Sequence, residues 1–558
     1  MTAPNVLIIG GTGVFGKRLV RHLSSQRGLV LNVSSRSAVK ATAFIKTLTS
    51  PQATLHPIAL DSQVNLQEQL DQIRPSIVVD CSGPFQGAGY ETAQAVLKAG
   101  AHFIDLADAR DYLAGFGAAL DVTARQNGVC ALSGASSTPT LSTSVARHLT
   151  LGWQRVDTID MAITPGGKSE VGRSVIEAIL SYAGKDVPLW SNGRLTQTTG
   201  WRNAKRINLP GLGRRRVAAV ETFDAEYVGP LLDVQSRVSF SAGLESGVEQ
   251  RGIEAIAMLC KHKLIGSPIA LIPVLLKARQ ITRIPTSSSG GMLVDICGLN
   301  ADGVMTQATW SLVARQDHGP YIPILPAAAA IRKLLSCTVG AGAGFAHSAL
   351  SLEDILQEMQ AYDIKTATSV VQTDQSIFEK ALGARAIKAL PECLQQFHAP
   401  SGPVLWSGEA DVERGAGILP QVIARLFGFP QTGQAVPVTV SIDRKQSSHG
   451  MPIEVWTRTF ANKSMTSVLS HSGNGMIVER FAPFSFALRL AQDADGLRMP
   501  LAKWWLGKLP LPRVLAPRSD TREYVDEMGR FHFDVKLSVP IFGQLIHYRG
   551  WLAPDRKG

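Results

Sequence analysis

"VLIIGGTGVFGKRLVRHL", residues 6–23, decides how the rest of the chain is read. Four β-favouring apolar residues run into a glycine cluster, and the glycines run into a stretch of helical period. Gly10, Gly13 and Gly16 form GxxGxxG, while Gly11, Gly13 and Gly16 also satisfy GxGxxG. In a strand-turn-helix, Gly10 would end the strand, Gly13 would let the backbone approach a pyrophosphate, and Gly16 would let the helix pack on the sheet. The helix N-terminal N–H groups would then face the anion. The expected cradle is Gly10, Gly11, Thr12, Gly13, Val14, Phe15 and Gly16.

Downstream, strand-like and helix-like segments alternate. "LVLNVSSR", "ATLHPIALD", "SIVVDCSGPF" and "HFIDLAD" read as strands, separated by "SAVKATAFIKTL", "NLQEQLDQI" and "YETAQAVLKAG" as helices. That order predicts an α/β, Rossmann-type doubly wound parallel sheet with helices on both faces. Ligands of such sheets sit beyond the carboxyl ends of the strands. Asp61, after the third strand, and Ser82, Gly83 and Pro84, after the fourth, are therefore further candidates for cofactor contact.

An NAD site usually carries an acid at the end of the second strand, for the ribose 2′-OH. Here the sequence is "SSRS", residues 34–37. Arg36, helped by Ser35 and Ser37, could clamp a 2′-phosphate, so NADP is expected ahead of NAD.

With these residues in view, the head resembles the NADP-binding domain of the saccharopine dehydrogenase-like oxidoreductases. "VVDCSGPF", residues 78–85, is similar to the strand-ending turn that lies beside the nicotinamide end of the cofactor in that family. "AGAHFIDLAD", residues 99–108, is similar to its next strand, with Phe103 where tyrosine is usual. Residues 318–356 resemble the stretch by which the family's chain returns to the head. The resemblance covers about residues 5–365. It implies hydride transfer, with a substrate domain inserted after the sixth strand: a head of 1–150 completed by about 318–368, and an inserted α+β domain of 151–317. The glycine loop also resembles that of the extended short-chain reductases. These need Tyr-x-x-x-Lys, and that spacing does not occur in the sequence, so they are disfavoured.

Nicotinamide chemistry on a carbonyl, imine or enoyl acceptor needs a proton donor near the ring. Cys81, Ser82, Tyr90, Asp105, Asp108, Ser136 and Ser137 are candidates, and none is singled out. Asp105 and Asp108 could equally cap the following turn or helix, and Ser136 and Ser137 could cap the helix after them. The family's amino-acid members hold a diacid with paired arginines, which do not map here, although Arg173, Arg202 and Arg214 to Arg216 stand in the inserted domain. Its sheet is expected to floor the cleft and to offer a homodimer interface. Its apolar content suggests a bulky or lipid-like small-molecule substrate.

From residue 371 to 558 the pattern changes to a mainly antiparallel β domain, a curved sheet or partial barrel. In "FHFDVKLSV", residues 531–539, Phe531, Phe533, Val535, Leu537 and Val539 face one way and the polar residues the other. "IEVWTRTF", "KLPLPRVLAP" and the final strands resemble a domain of unknown function fused behind saccharopine dehydrogenase-like heads. "SIFEKALGARAIKALPECLQQF" reads as helix. "LAKWWLGKL", residues 501–509, reads as a helix over the sheet's mouth, packed into the core or acting as a flap over an apolar ligand.

Six cysteines without C-x-x-C spacing suit a reducing cytoplasm, and "MTAPN" lacks a basic leader, so the first apolar run is expected to be a strand. The net charge of +11 is spread along the chain, without a basic tail or zinc-finger spacing, which argues against nucleic acid. The cluster "RNAKRINLPGLGRRR", residues 202–216, reads as a solvated loop or an anion site. "LIGSPIALIPVLL", residues 264–276, is too short to span a bilayer and reads as buried, or as a peripheral membrane contact held by Lys261, Lys263, Lys277 and Arg279. His398, His449, His471, His532 and His547 lack metal spacing, and no metal is expected. The alternatives to an oxidoreductase are a redox sensor that binds NADP(H) without turnover and a lipid-handling protein at a membrane surface.

Overall fold

The computed structural model describes residues 3–555 except 170–172, 374, 403, 448–449, 494–495 and 541–542. Strand β1 (Asn5–Ile9) can be apolar on both faces because it runs inside a sheet, pairing in parallel with β2 (Val30–Ser35) and β4 (Ile77–Asp80). Its side chains alternate. Val6 and Ile8 join Leu19 and Leu23 of helix α1 (Gly16–Leu23) in one hydrophobic cluster, while Leu7 and Ile9 join Val96 and Leu97 of helix Glu91–Lys98 in another. With β3 (Thr54–Ala59), β5 (His102–Asp105) and β6 (Cys130–Ser133), the order is β3-β2-β1-β4-β5-β6, all parallel. A seventh strand, Gly342–Phe345, lies beside β6.

The chain returns to this sheet after residue 318. His22 of α1 bonds the Tyr362 hydroxyl and Glu358, each at 2.8 Å, and Arg332 donates to the same glutamate at 2.8 Å. These bonds fix helices Leu325–Leu335 and Leu352–Met359 to the helix that opens the glycine loop.

The middle of the chain forms a mixed nine-stranded sheet centred on Arg155–Thr164, which pairs in parallel with Arg237–Ala242 and antiparallel with Gly290–Leu299. Ile364–Thr373 pairs with Met305–Ala314 in this sheet, so residues 364–368 lie here and not in the parallel one. The basic stretch 202–216 is largely a β-hairpin, Lys205–Leu209 with Gly213–Ala219, where a loop was a possible reading. Residues 264–276 are buried only at Pro268 and Ile272: Leu264 and Val274 are exposed, as are Ile281 and Ile284 just beyond them.

The C-terminal part is a 13-stranded antiparallel sheet that curls without closing. Residues 499–500 bond to strands from opposite ends of the order: Met499 N donates to Thr521 O at 2.9 Å, and Arg489 N donates to Pro500 O at 3.0 Å. Residues 501–509 are not a helix. They form strands Leu501–Leu506 and Leu509–Pro510 at one end of the sheet order. Both faces of "LAKWWL" carry apolar residues, so its period was ambiguous. Residues 377–398 break into three short helices, interrupted at Gly383, with φ of +85°, and at Pro391.

Candidate active site

The glycine loop is tight because atoms occupy the space where side chains would be. A Cβ on Gly16 would lie 2.2 Å from Gly10 O, and one on Gly10, whose φ is +69°, would lie 3.0 Å from Ser82 Cα. The loop therefore needs glycine for close helix packing at 16 and for a left-handed turn against the β4 turn at 10. Gly13 N donates to Gly10 O at 2.8 Å. Among the described residues, the amides of Thr12, Val14 and Phe15 make no hydrogen bond, which leaves three donors at the positive end of α1. Gly11 packs against β2, its Cβ position 2.9 Å from Val33 Cγ1.

At the end of β2, Ser35 is buried and Arg36 and Ser37 are exposed. Among the described residues Arg36 has no ion pair or hydrogen bond, and no carboxylate holds it. Asp61 shapes the turn after β3: its Oδ1 accepts from Gln63 N at 3.1 Å, and its own N–H donates to Asn65 Oδ1 at 2.9 Å. The structure thus brings Ser82 onto the glycine loop, while Gly83 and Pro84 extend from it and Asp61 is engaged in its own turn.

The ends of β4 and β5 carry three titratable groups. Asp80 accepts from Ser82 N at 2.8 Å and from the Ser82 hydroxyl at 2.5 Å, and burial pushes its carboxyl up. Asp105 is fully buried and accepts from Ala107 N, Gly134 N, the Ser133 hydroxyl and, at 3.2 Å, the Tyr112 hydroxyl. Burial pushes its carboxyl to about 6, although the N–H and hydroxyl donors favour ionisation. Cys81 is held well above the usual thiol range by burial and then by the charges of Asp80 and Asp105, which disfavours a thiolate nucleophile. The Tyr90 hydroxyl donates to Tyr112 O at 2.8 Å. Asp108 is exposed; it does not cap helix Arg110–Gln126, and neither Ser136 nor Ser137 caps the helices after them.

Two groups escaped the sequence reading. Tyr182 stacks on Trp201 with ring centroids 6.3 Å apart, and its hydroxyl is raised by burial, then by the charges of Asp108 and Glu221. His347 follows the strand beside β6. It is buried against Tyr227 and Phe345, its ring nitrogens have no hydrogen-bond partner among the described residues, and burial with the Arg147 charge lowers it to about 4. No spacing ties these residues to the strands, because they meet their partners through the fold alone.

Other candidates are engaged elsewhere. Arg215 and Arg216 pair with Glu245 and Glu254 at 3.1 and 2.7 Å, Arg214 is exposed, Arg202 half-buried, and the side chain of Arg173 lies outside the described residues. His398, His532 and His547 bond Glu523, Asp526 and Asp534; His471 accepts from Gly473 N; His449 lies outside the described residues. Among the described residues no cluster could hold a metal, and no helix is long and apolar enough to cross a membrane.

Residues 6–109 match the family model described as the NAD dependent epimerase/dehydratase family. Residues 390–552 match a domain of unknown function (DUF4166). The first match ends before β6, so it bears on the nucleotide loop and not on acid–base residues of the middle region. No curated protein matches the sequence. Among solved structures, the chain is similar to saccharopine dehydrogenase (L-Glu forming) from Saccharomyces cerevisiae, at 12% identity over 66% of this chain and 100% of that one, with a TM-score of 0.48. It is also similar to an amine dehydrogenase from Mycobacterium smegmatis, at 11% identity over 62% and 95%, TM-score 0.33. A third is a dehydrogenase from Thermus thermophilus in complex with NAD and α-ketoglutarate, at 11% identity over 63% and 94%, TM-score 0.30.

Proposed function

We propose that the chain is an NADP(H)-dependent oxidoreductase that moves a hydride to or from a carbonyl, imine or enoyl carbon of a bulky or apolar small molecule. The observation that carries this reading is the set of unengaged amides at Thr12, Val14 and Phe15, in a loop closed by Gly10 and Gly16. A pyrophosphate is the group that such a cradle fits. Arg36, exposed and without a carboxylate partner, supports a 2′-phosphate over a bare ribose. Bound there, the nicotinamide would supply the hydride chemistry. Ser82, Gly83 and Pro84 would orient it, and Asp105 would hold the β5 and β6 ends in place.

Titration calorimetry with NADPH and NADH tests the binding half: tighter NADPH is expected, and no heat with either would sink the reading. Steady-state NADPH oxidation across carbonyl, imine and enoyl acceptors tests the catalytic half. Binding without turnover would favour the sensor.

One observation favours peripheral membrane contact as an added property. Leu264, Val274, Ile281 and Ile284 are exposed beside Lys263, Lys277 and Arg283, while the nearby Glu249 and Glu254 are taken up by Arg279 and Arg216. That combination suits an anionic bilayer surface. Flotation with anionic vesicles, lost on neutralising Lys263, Lys277 and Arg283, is the expected outcome.

A further inference from the structure

The alternation in 531–539 has a destination. Phe531, Phe533, Val535, Leu537 and Val539 all line one cavity of about 410 Å³ inside the C-terminal sheet. That is the size range of sites for small organic ligands. Trp456, Phe486 and Trp504 also line it, with Phe378 and Phe397 packed against Trp456. Every lining residue lies between 378 and 552, so the cavity is separate from the glycine loop.

The polar groups in the wall pair with each other. Arg458 donates to Ser467 at 2.9 Å and to Glu479 at 3.1 Å, and the Ser467 hydroxyl donates to the same glutamate oxygen at 2.7 Å. Glu523 meets His398 Nε2 at 2.7 Å, and the Ser519 and Thr521 hydroxyls lie 2.8 Å apart. The opposite charges of Arg458 and Glu479 offset each other, Glu523 is bonded to His398, and the interior offers an incoming anion no unpaired cation. A hydrocarbon-lined void of this size forfeits the dispersion contacts that a filled core would make, and water gains too few polar partners there to replace them.

The mouth has a different chemistry. Leu515 lines the cavity yet is 51% exposed, and Leu506, Leu509 and Val514 of the same stretch are exposed with it. Residues 501–518 also carry Lys503, Lys508, Arg513 and Arg518, all exposed, and contain no acid. None of the four cations has an ion pair among the described residues. An apolar chamber with an apolar, cationic rim matches a molecule with a long hydrocarbon part and one anionic end.

We propose that the C-terminal sheet binds one long-chain anionic amphiphile of the fatty-acid class, its chain in the cavity and its head group at the Lys503–Lys508–Arg513 rim. The assignment does not depend on the oxidoreductase reading, because no residue of the nucleotide loop takes part. The ligand's source is either the free acid or a membrane that holds it.

The test uses the full-length protein and cis-parinaric acid, whose fluorescence rises on entering an apolar site. Saturable binding of one probe per chain, displaced by oleate, is expected. Val535→Trp, which fills the chamber from a half-buried wall position, should abolish saturable binding. Combined Lys503→Glu, Lys508→Glu and Arg513→Glu, all on the surface, should weaken it about tenfold. Nucleotide binding should stay unchanged in both. Delivery from phosphatidylglycerol vesicles identifies the source: a transfer rate that rises with vesicle concentration assigns the membrane, and an invariant rate assigns the free acid, with the chamber filled in either case. No saturable fluorescence, or binding that ignores both sets of substitutions, overturns the proposal.

Discussion

The Ser236 hydroxyl donates to Asp443 Oδ1 at 2.6 Å, joining the middle sheet to the C-terminal one. Arg237, the next residue, pairs with the other oxygen of that carboxylate and with Asp160 at 2.9 Å. Nearby, Arg155 donates across the same junction to Ser401 O and Gly402 O, and Arg444, within the C-terminal part, holds that loop by donating to Phe397 O and Gly402 O. The two sheets therefore meet through charged groups whose hydrogen bonds cross the junction. Asp443→Ala would leave the Ser236 hydroxyl without this acceptor and Arg237 with one acid in place of two. Removing one member of a buried pair costs roughly 3–5 kcal/mol; with Asp160 still present, about 2 kcal/mol is expected. Denaturant unfolding should show the loss, and an unmoved midpoint would mean that the carbonyl contacts alone hold the junction.

Gly16 and Gly117 should respond oppositely to alanine. At Gly16 the new methyl would meet Gly10 O at 2.2 Å, a backbone atom that cannot move without opening the cradle. Nucleotide affinity should fall at least about tenfold, through lost loop geometry. At Gly117, within helix Arg110–Gln126, the nearest atom would be Ala343 O at 3.7 Å, an ordinary contact. Replacing a helical glycine there should stabilise by roughly 0.5–1 kcal/mol. Calorimetric binding and thermal unfolding of both variants read the contrast, and retained affinity in Gly16→Ala would refute the cradle.

Asp105 gives the head a pH signature. Its carboxyl is raised from 3.8 to about 6, so the folded state favours the protonated form. The stability this provides is complete below about pH 4 and is lost as pH rises through 6. At roughly 1.4 kcal/mol per tenfold change, the carboxylate costs the folded head about 3 kcal/mol at neutral pH. Asp105→Asn cannot ionise, while its amide oxygen can still accept from Gly134 N and Ala107 N. The variant should therefore gain on the wild type between pH 4.5 and 7.5. Thermal unfolding at the two pH values measures the difference, and a gain that shrinks with pH would reverse the sign of the argument.

The head was legible because backbone geometry dictates its residues. Gly10 and Gly16 stand where no Cβ fits, and β1 is apolar throughout because it feeds clusters on both faces. In the C-terminal sheet the alternation of 531–539 identified the cavity-facing side chains. Two strands carried a weaker signal. Leu405–Arg414 faces inward through Trp406, Gly408, Ala410 and Val412, the two at its centre small, and Gly408 is required because a Cβ there would lie 1.9 Å from Trp551 O. Arg518–Val525 turns Ser519, Thr521 and Glu523 toward the cavity, so its buried face is polar in sequence. Glu523 is tolerated there by His398, 125 residues earlier in the chain, a partnership that no local pattern encodes.

Arg36 carries the choice between the two nicotinamide cofactors. It follows the buried Ser35 at the end of β2, is exposed, and has no carboxylate partner among the described residues. A 2′-phosphate would gain a charge-assisted contact from its guanidinium, and a 2′-hydroxyl would gain little. Arg36→Asp exchanges that attraction for repulsion and places at this strand end the acid that usually serves the ribose hydroxyl. NADPH affinity should fall by about a hundredfold, at roughly 1.4 kcal/mol per tenfold, while NADH affinity holds or improves. Arg36→Ala should fall between the two, because it removes the attraction without adding the repulsion. Parallel calorimetric titrations of the three proteins with both cofactors decide the matter. A preference that stays constant across the series would take Arg36 out of the site and leave the cradle without a basis for distinguishing the two.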